Sequence, residues 1–331
     1  MSSRSRDLMA SVLIQLGLCP AEVYCCAQSG TAPFAYWKDW FDTDKWGVLP
    51  STVEGLMTAG RNDTLVIMPG AYTETASLTW DKANTHMIGF GGPHIRCDYS
   101  QPVVHIHTTT ANVAATMTLD TTGTTCQFHN VGFSNNGADA DNLAAVKVNG
   151  RNATFKNCTF MGIMNSTQMA AVACHSLGIH SYASGYYFEN CVIGSTQWGG
   201  ARTTDNQGQL SFTNTSGWPK PTNGKFYKCL FESQSETAEV PMVRFAHMNC
   251  LDRLHTFERC TFYNFSNNWT NTCKEVFMYQ GVVTNCIQLK DCVCIGYDEW
   301  QTLDYGTMFQ SNMPVATTGG GIAIEPTTTI A

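Results

Sequence analysis

The stretch "ATFKNCTFMG" at residues 153–162 returns along this chain in altered form: "CQFHNVGFSN" from 126, "YYFENCVIGS" from 186, "KFYKCLFESQ" from 225, "HTFERCTFYN" from 255 and "IQLKDCVCIG" from 287. A catalytic motif is needed once, so a unit used six times is read as architecture. Within it, Phe155 alternates with Thr154, the pattern of a strand with one buried face. Phe155 and Cys158 lie an odd number of residues apart, so an unbroken strand would send them to opposite faces. Both read as core, which requires a bend at Lys156-Asn157, with Asn157 suited to a left-handed backbone. Asn130, Asn190, Lys228, Arg259 and Asp291 are the equivalent bend residues.

The slot after the bend falls at 131, 158, 191, 229, 260 and 292, separations of 27 to 38 residues that lie in the range of solenoid repeats. Between units stands another short strand: "AAVKVN" from 144, "AAVACH" from 170, "GQLSFTN" from 208, "MVRFAH" from 242 and "EVFMYQ" from 275. Three short strands and a loop of variable length make one coil of a parallel β-helix. Equivalent residues then stack at about 4.8 Å. The expected core ladder has a column of Phe128, Phe155, Phe188, Phe226, Phe257 and Leu289, and a second of Val131, Cys158, Cys191, Cys229, Cys260 and Cys292. A third runs through Phe133, Phe160, Ile193, Phe231, Phe262 and Cys294. A β-propeller or sandwich also uses many short strands, but hairpin signals and four-strand blades do not recur. The predicted fold is therefore all-β, a single-stranded right-handed parallel β-helix over 49–300 with an N-terminal cap helix.

Composition narrows the functional classes. Charged residues make up 14% of the chain, the formal net charge is -7, and no run of Lys and Arg occurs, which argues against nucleic acid as a partner. No 18-residue apolar stretch supplies a membrane span. The segment "LMASVLIQLGLCPAEVYCCA" from residue 8 has the outline of a signal peptide, with a lipobox-like Cys19, but Gln15 interrupts it; an amphipathic helix or docking arm is the preferred reading. The fifteen cysteines are odd in number and five share one slot, so they are read as free thiols in the core. Cys286, Cys292 and Cys294 lack zinc-module spacing, and neither a metal nor a cofactor is expected.

At the N-terminal side, Ser51 or Thr52 is expected to cap a helix over 53–59 that covers the open end of the solenoid. "DTLVIMPGAYTE", followed by "MIGFGG", resembles the opening coil of the pectate-lyase-like superfamily of right-handed parallel β-helices, and the repeated units resemble its later coils. Residues 1–48 are expected to form an arm or capping segment, with Trp37, Trp40 and Trp46 as attachment candidates; packing back on the helix is the alternative. Residues 301–331 read as an extended tail or a closing coil.

The resemblance implies enzymes acting on acidic or complex polysaccharides, so their residue sets are the ones to seek. The clustered Asp with Arg or Lys of the lyases, the two Asp and Arg of the esterases, and the signatures of the polygalacturonase-like hydrolases are not found; no catalytic residue is assigned. The remaining acidic candidates are Asp139 with Asp141, Glu232 with Glu236 and Glu239, and Asp252 beside Arg253. His105 and His107 share a strand face with no third ligand nearby; His175, His180, His247 and His255 are scattered, and Arg151 and Arg244 are isolated. β-Helices resembling this one, with a PG-x-Y-x-E opening coil and no catalytic signature, occur among phage virion proteins. The expectation is a structural virion protein of a bacteriophage, made in the host cytoplasm and placed on the capsid surface as a decoration or cement protein. Its expected partners are capsid or other virion proteins and further copies of itself. A head or tail spike or fibre is the first alternative, and a polysaccharide-degrading lyase or hydrolase, with polysaccharide as partner, is the second.

Overall fold

A computed structural model describes residues 13–15, 17–28, 44–91, 103–137, 143–163, 174–194, 208–213, 220–234, 241–245, 253–265, 273–279, 287–299, 322–324 and 329–330. The chain winds through three parallel sheets of eleven, nine and seven strands, and each strand pairs with its equivalent one coil away. A crossover between parallel strands of one sheet is right-handed for L-residues, and the fold is a right-handed parallel β-helix.

The first two sheets meet at the predicted bend. Asn130, Asn157, Asn190, Lys228, Arg259 and Asp291 all take φ between 52° and 57°. From Asn130 to Arg259 the bend turns the N–H toward the next coil: Asn157 donates to Glu189 O at 3.0 Å and Lys228 to Glu258 O at 2.9 Å. Asn157 Nδ2 also donates to Asn130 Oδ1, and Asn190 Nδ2 to Asn157 Oδ1, at 3.1 and 2.7 Å. The side-chain amides thus form a short ladder of their own.

Inside, the first sheet stacks Phe128, Phe155, Phe188, Phe226 and Phe257 in register. Successive ring centroids lie 4.6, 4.7, 4.9 and 4.8 Å apart, the rise of one coil. The second sheet stacks Phe133, Phe160, Ile193, Phe231, Phe262 and Cys294. Rings of the two columns meet edge to face, as in Phe155–Phe160 at 5.6 Å. Val146, Leu177, Leu210, Val243 and Phe277 of the third sheet close the core. Burying each Phe is worth roughly 1.5 to 3 kcal/mol, and the gain repeats coil by coil.

Cys158, Cys191, Cys229, Cys260 and Cys292 lie at the corner between these columns, each buried and free. Each Sγ donates to the carbonyl of a Phe in the preceding coil, for example Cys191 to Phe155 O at 3.5 Å and Cys292 to Phe257 O at 3.2 Å. A small side chain with a weak donor suits a tight corner that leaves a carbonyl pointing inward.

The ends differ from the expectation. Helix α1 spans Pro50–Leu56 rather than 53–59, and neither Ser51 nor Thr52 is its cap. Leu49 stands at the cap position with no side-chain hydrogen bond, and Pro50 opens the first turn. The capping carboxylate comes from another coil: Glu74 accepts Ser51 N–H at 2.9 Å and Ser51 Oγ–H at 2.6 Å. Local sequence cannot reveal a cap donated from 23 residues away.

Part of residues 1–48, expected as an arm or capping segment, joins the first sheet. Val23–Cys26 pairs with Thr64–Ile67, and Trp46–Gly47 pairs with Val23–Cys26, so the first sheet begins inside the expected arm. Tyr24 and Cys26 point into the main core. At the other end, Ile322–Ile324 and Thr329–Ile330 pair with Ile287–Lys290 and Val293–Ile295, an arrangement that agrees with the closing-coil reading of residues 301–331. Of the strand expected at 170–175, residues 170–173 lie outside the described residues, and the described strand is Cys174–Ile179, where Leu177 and Ile179 register with Val146 and Val148. Among the described residues, no helix is long and apolar enough to cross a membrane.

Candidate interaction face

Every second residue of the first sheet points outward, and the register arranges these residues in two rows along the coil axis. One row is Gln127, Thr154, Tyr187, Lys225, Thr256 and Gln288; the other is His129, Lys156, Glu189, Tyr227, Glu258 and Lys290. Charges cross from coil to coil: Lys156–Glu189 at 3.0 Å, Lys225–Glu258 at 2.6 Å and, at the bend, Arg259–Asp291 at 3.9 Å. The Lys225 hydrogen bond holds the Glu258 carboxyl below its ordinary range.

Tyr227 lies at the centre of this face. Lys225, Lys228 and Arg259 place their cationic groups 5.3, 5.1 and 5.9 Å from its ring centroid, and Arg259 Nη1 donates to its hydroxyl at 3.2 Å. Tyr187 occupies the preceding coil, and burial with the nearby Glu189 charge pushes its phenol up to about 12, so it stays protonated. His129, 1% exposed, is pushed down to about 4 by burial, with the Lys156 charge adding to the effect.

Sequence reading missed this cation cluster because its members are roughly one repeat apart. Lys225 and Lys228 come from one unit, Arg259 from the next and Lys290 from the one after. A window sliding along the chain finds no basic run; the solenoid assembles one. The detectable signal was the repeat itself, read as columns of outward positions.

The candidates drawn from sequence lie in different places. Asp139, Asp141, Glu236, Glu239, Asp252, His247, Cys286, Trp37 and Trp40 fall outside the described residues. Glu232 is on the outward side of the second sheet beside Gly194, where a Cβ would lie 1.9 Å from the Glu232 carbonyl oxygen, so only glycine fits. Arg253 is exposed at a left-handed turn with φ 61°. Trp46 pairs beside Cys25 and packs against the small apolar cluster of Leu13, Leu18, Cys25, Ala27, Val66, Met68 and Ile88, so packing on the first coil accounts for its placement.

The histidines are held within the scaffold. His105 and His107 stack at 4.9 Å, but His105 Nε2 hydrogen-bonds Ser134 Oγ at 2.8 Å and His107 Nε2 hydrogen-bonds Thr73 Oγ1 at 3.0 Å. His255 is fully buried; its Nε2 donates to Pro221 O at 3.2 Å, which leaves Nδ1 to accept Tyr186 Oη–H at 2.6 Å. His175 Nδ1 bonds Gly208 O at 3.1 Å. Lys147, Gly178, Ser211 and Arg244 share an outward row of the third sheet, which Arg151 and His180 do not join. Cys292 and Cys294 are both buried. Among the described residues no group of three or more ligating side chains forms a metal site.

No family model matches the sequence, and no curated protein does. Solved structures do match. Two structures of pectin methylesterase in complex with hexasaccharides share 13% and 12% identity, with TM-scores of 0.53 and 0.54, each over 90% of this chain and 92% of the other. Pectin methylesterase PemA from Erwinia chrysanthemi aligns over the same shares at 12% identity and a TM-score of 0.50. With the parallel coils, the bend residues and the stacked columns, these likenesses identify the chain as having the pectate-lyase-like right-handed parallel β-helix fold.

Proposed function

We propose that this chain is a structural β-helix of a bacteriophage particle, placed on the capsid as a decoration protein. One observation carries the reading: the carboxylates with described partners are committed to the scaffold. Glu74 caps α1, Asp63 accepts two bonds from Arg61, and Glu189, Glu258 and Asp291 close ion pairs between coils. Tyr72 of the opening coil likewise donates its hydroxyl to Met68 O at 2.7 Å. Such a molecule offers a rigid surface whose stability grows with each coil and needs no reaction.

A density map of the native assembly containing this chain tests the proposal. Repeated copies on the outside of a protein shell are expected; a single copy on a tail or vertex favours a spike.

A second reading, an enzyme acting on polysaccharide, draws on the fold and on the third sheet. There the outward row Lys147, Gly178, Ser211 and Arg244 brings two cations to one face. Incubation of the full chain with methyl-esterified and de-esterified polyuronate separates the readings. Release of methanol or of unsaturated sugar ends supports the enzyme and sinks the purely structural role.

A further inference from the structure

We infer that the outward face of the first sheet around Tyr227 docks on the acidic N-terminal coils of a second copy of this chain. The chain is electrically lopsided. Its first 142 residues hold seven Lys and Arg against thirteen Asp and Glu, whereas the remaining 189 hold twelve against thirteen. Most of the net charge of -7 therefore falls within the first 142 residues of the sequence.

The Tyr227 face carries the opposite sign. Lys225 and Arg259 are matched by Glu258 and Asp291, but Lys228 and Lys290 are exposed and have no ion pair among the described residues. The face thus holds two surplus positive charges on a chain of overall -7. Tyr227 is pinned by three cations before any partner arrives, so an aromatic anchor there loses little freedom on binding.

The complementary surface is at the other end of the solenoid. Asp81 and Asp120 follow the paired residues Trp80 and Leu119 on adjacent coils, and Asp120 N–H donates to Trp80 O at 3.0 Å. Neither has an ion pair among the described residues, and Asp81 is exposed. Because the basic face and the acidic corner are different surfaces, the contact is head-to-tail and generates a ring or an open chain of copies. The inference stands apart from the virion reading, since it concerns the purified chain alone.

Sedimentation velocity of the full chain at about 0.1 M and about 1 M salt provides the test, because the Debye length falls from about 10 to about 3 Å between them. Concentration-dependent association is expected at the lower salt and its loss at the higher. Lys228→Glu with Lys290→Glu should weaken association at least about tenfold, with the β-sheet spectrum unchanged. Lys228→Gln with Lys290→Gln serves if the reversal perturbs folding. A chain carrying Asp81→Lys with Asp120→Lys should associate with the Lys228→Glu, Lys290→Glu chain when the two are mixed. A monomer at low salt, association indifferent to both lysine variants, or no pairing between the two reversed chains overturns the inference.

Discussion

Thr125 carries a backbone conformation that a β-branched residue rarely tolerates. Its φ is 59°, and it occupies a turn slot filled in other coils by Asn84, Asn152, Gly185 and Asn223, each also at positive φ. Its N–H donates to Arg151 O at 2.8 Å, so the bond between coils holds it there. Replacing Thr125 with Asn removes the clash of the branched side chain with its own backbone. A stabilisation of about 1 kcal/mol is expected in chemical denaturation; no gain means that the strain is absent. Phe155 is the opposite case, stacked between Phe128 and Phe188 and fully buried. Phe155→Ala leaves a void that rigid neighbouring coils cannot close, so a loss of about 3 to 5 kcal/mol is expected. A loss below about 1 kcal/mol contradicts the column.

At the scale of elements, α1 is tied to the first coils by buried charge. Lys82 Nζ donates to Glu54 O at 2.5 Å and lies 3.8 Å from its carboxylate, yet burial outweighs that cation and pushes Glu54 up to about 7. A carboxyl raised above its unfolded value of 4.5 holds its proton more tightly in the folded chain. Its contribution to stability is full below pH 4.5 and is lost as pH rises through about 7. Burial lowers His86 to about 4, which acts in the other direction as pH falls, so comparison with Glu54→Gln isolates the glutamate. The variant should gain roughly 1 to 3 kcal/mol on the wild type at pH 8 relative to pH 4, read as the difference in melting temperature; parallel pH profiles refute the assignment. The cysteine column makes a separate test. Burial holds the thiols of Cys191 and Cys260 well above their ordinary range. They should resist alkylation in the folded chain and react fully once unfolded without reductant. The bends and inward columns were legible in the sequence because each coil repeats the same local demand, and Phe-x-x-Cys admits few geometries. The cap from Glu74 and the strand at Cys174–Ile179 were not, because the first is a contact between coils and the second has weak alternation beside a long insertion. The Tyr227 face was hidden for the same reason as the cap: its residues become neighbours only after the coils stack.

A solenoid of stacked coils has two open ends, and the stability of the whole depends on how each is covered. Here Val23–Cys26 adds a strand above Thr64–Ile67 and lowers Tyr24 and Cys26 onto the first coil, while Leu13 and Leu18 cover Val66 and Ile88 on the outside. Deleting residues 1–28 removes both covers at once. It leaves the Thr64–Ile67 edge with unpaired backbone groups and bares Leu65 and Ile67, which are fully buried in the intact chain. The later coils keep their own columns and contacts, so the β-sheet spectrum should persist. The melting temperature should fall by at least about 5 °C, and light scattering should rise with concentration as exposed edges pair with one another. Substituting Tyr24 and Cys26 by Ser in the full-length chain should reproduce part of the thermal loss without opening the edge, which separates lost core from lost pairing. A truncated chain that remains monodisperse and melts with the wild type would mean that this strand is a passenger on the first coil rather than its lid.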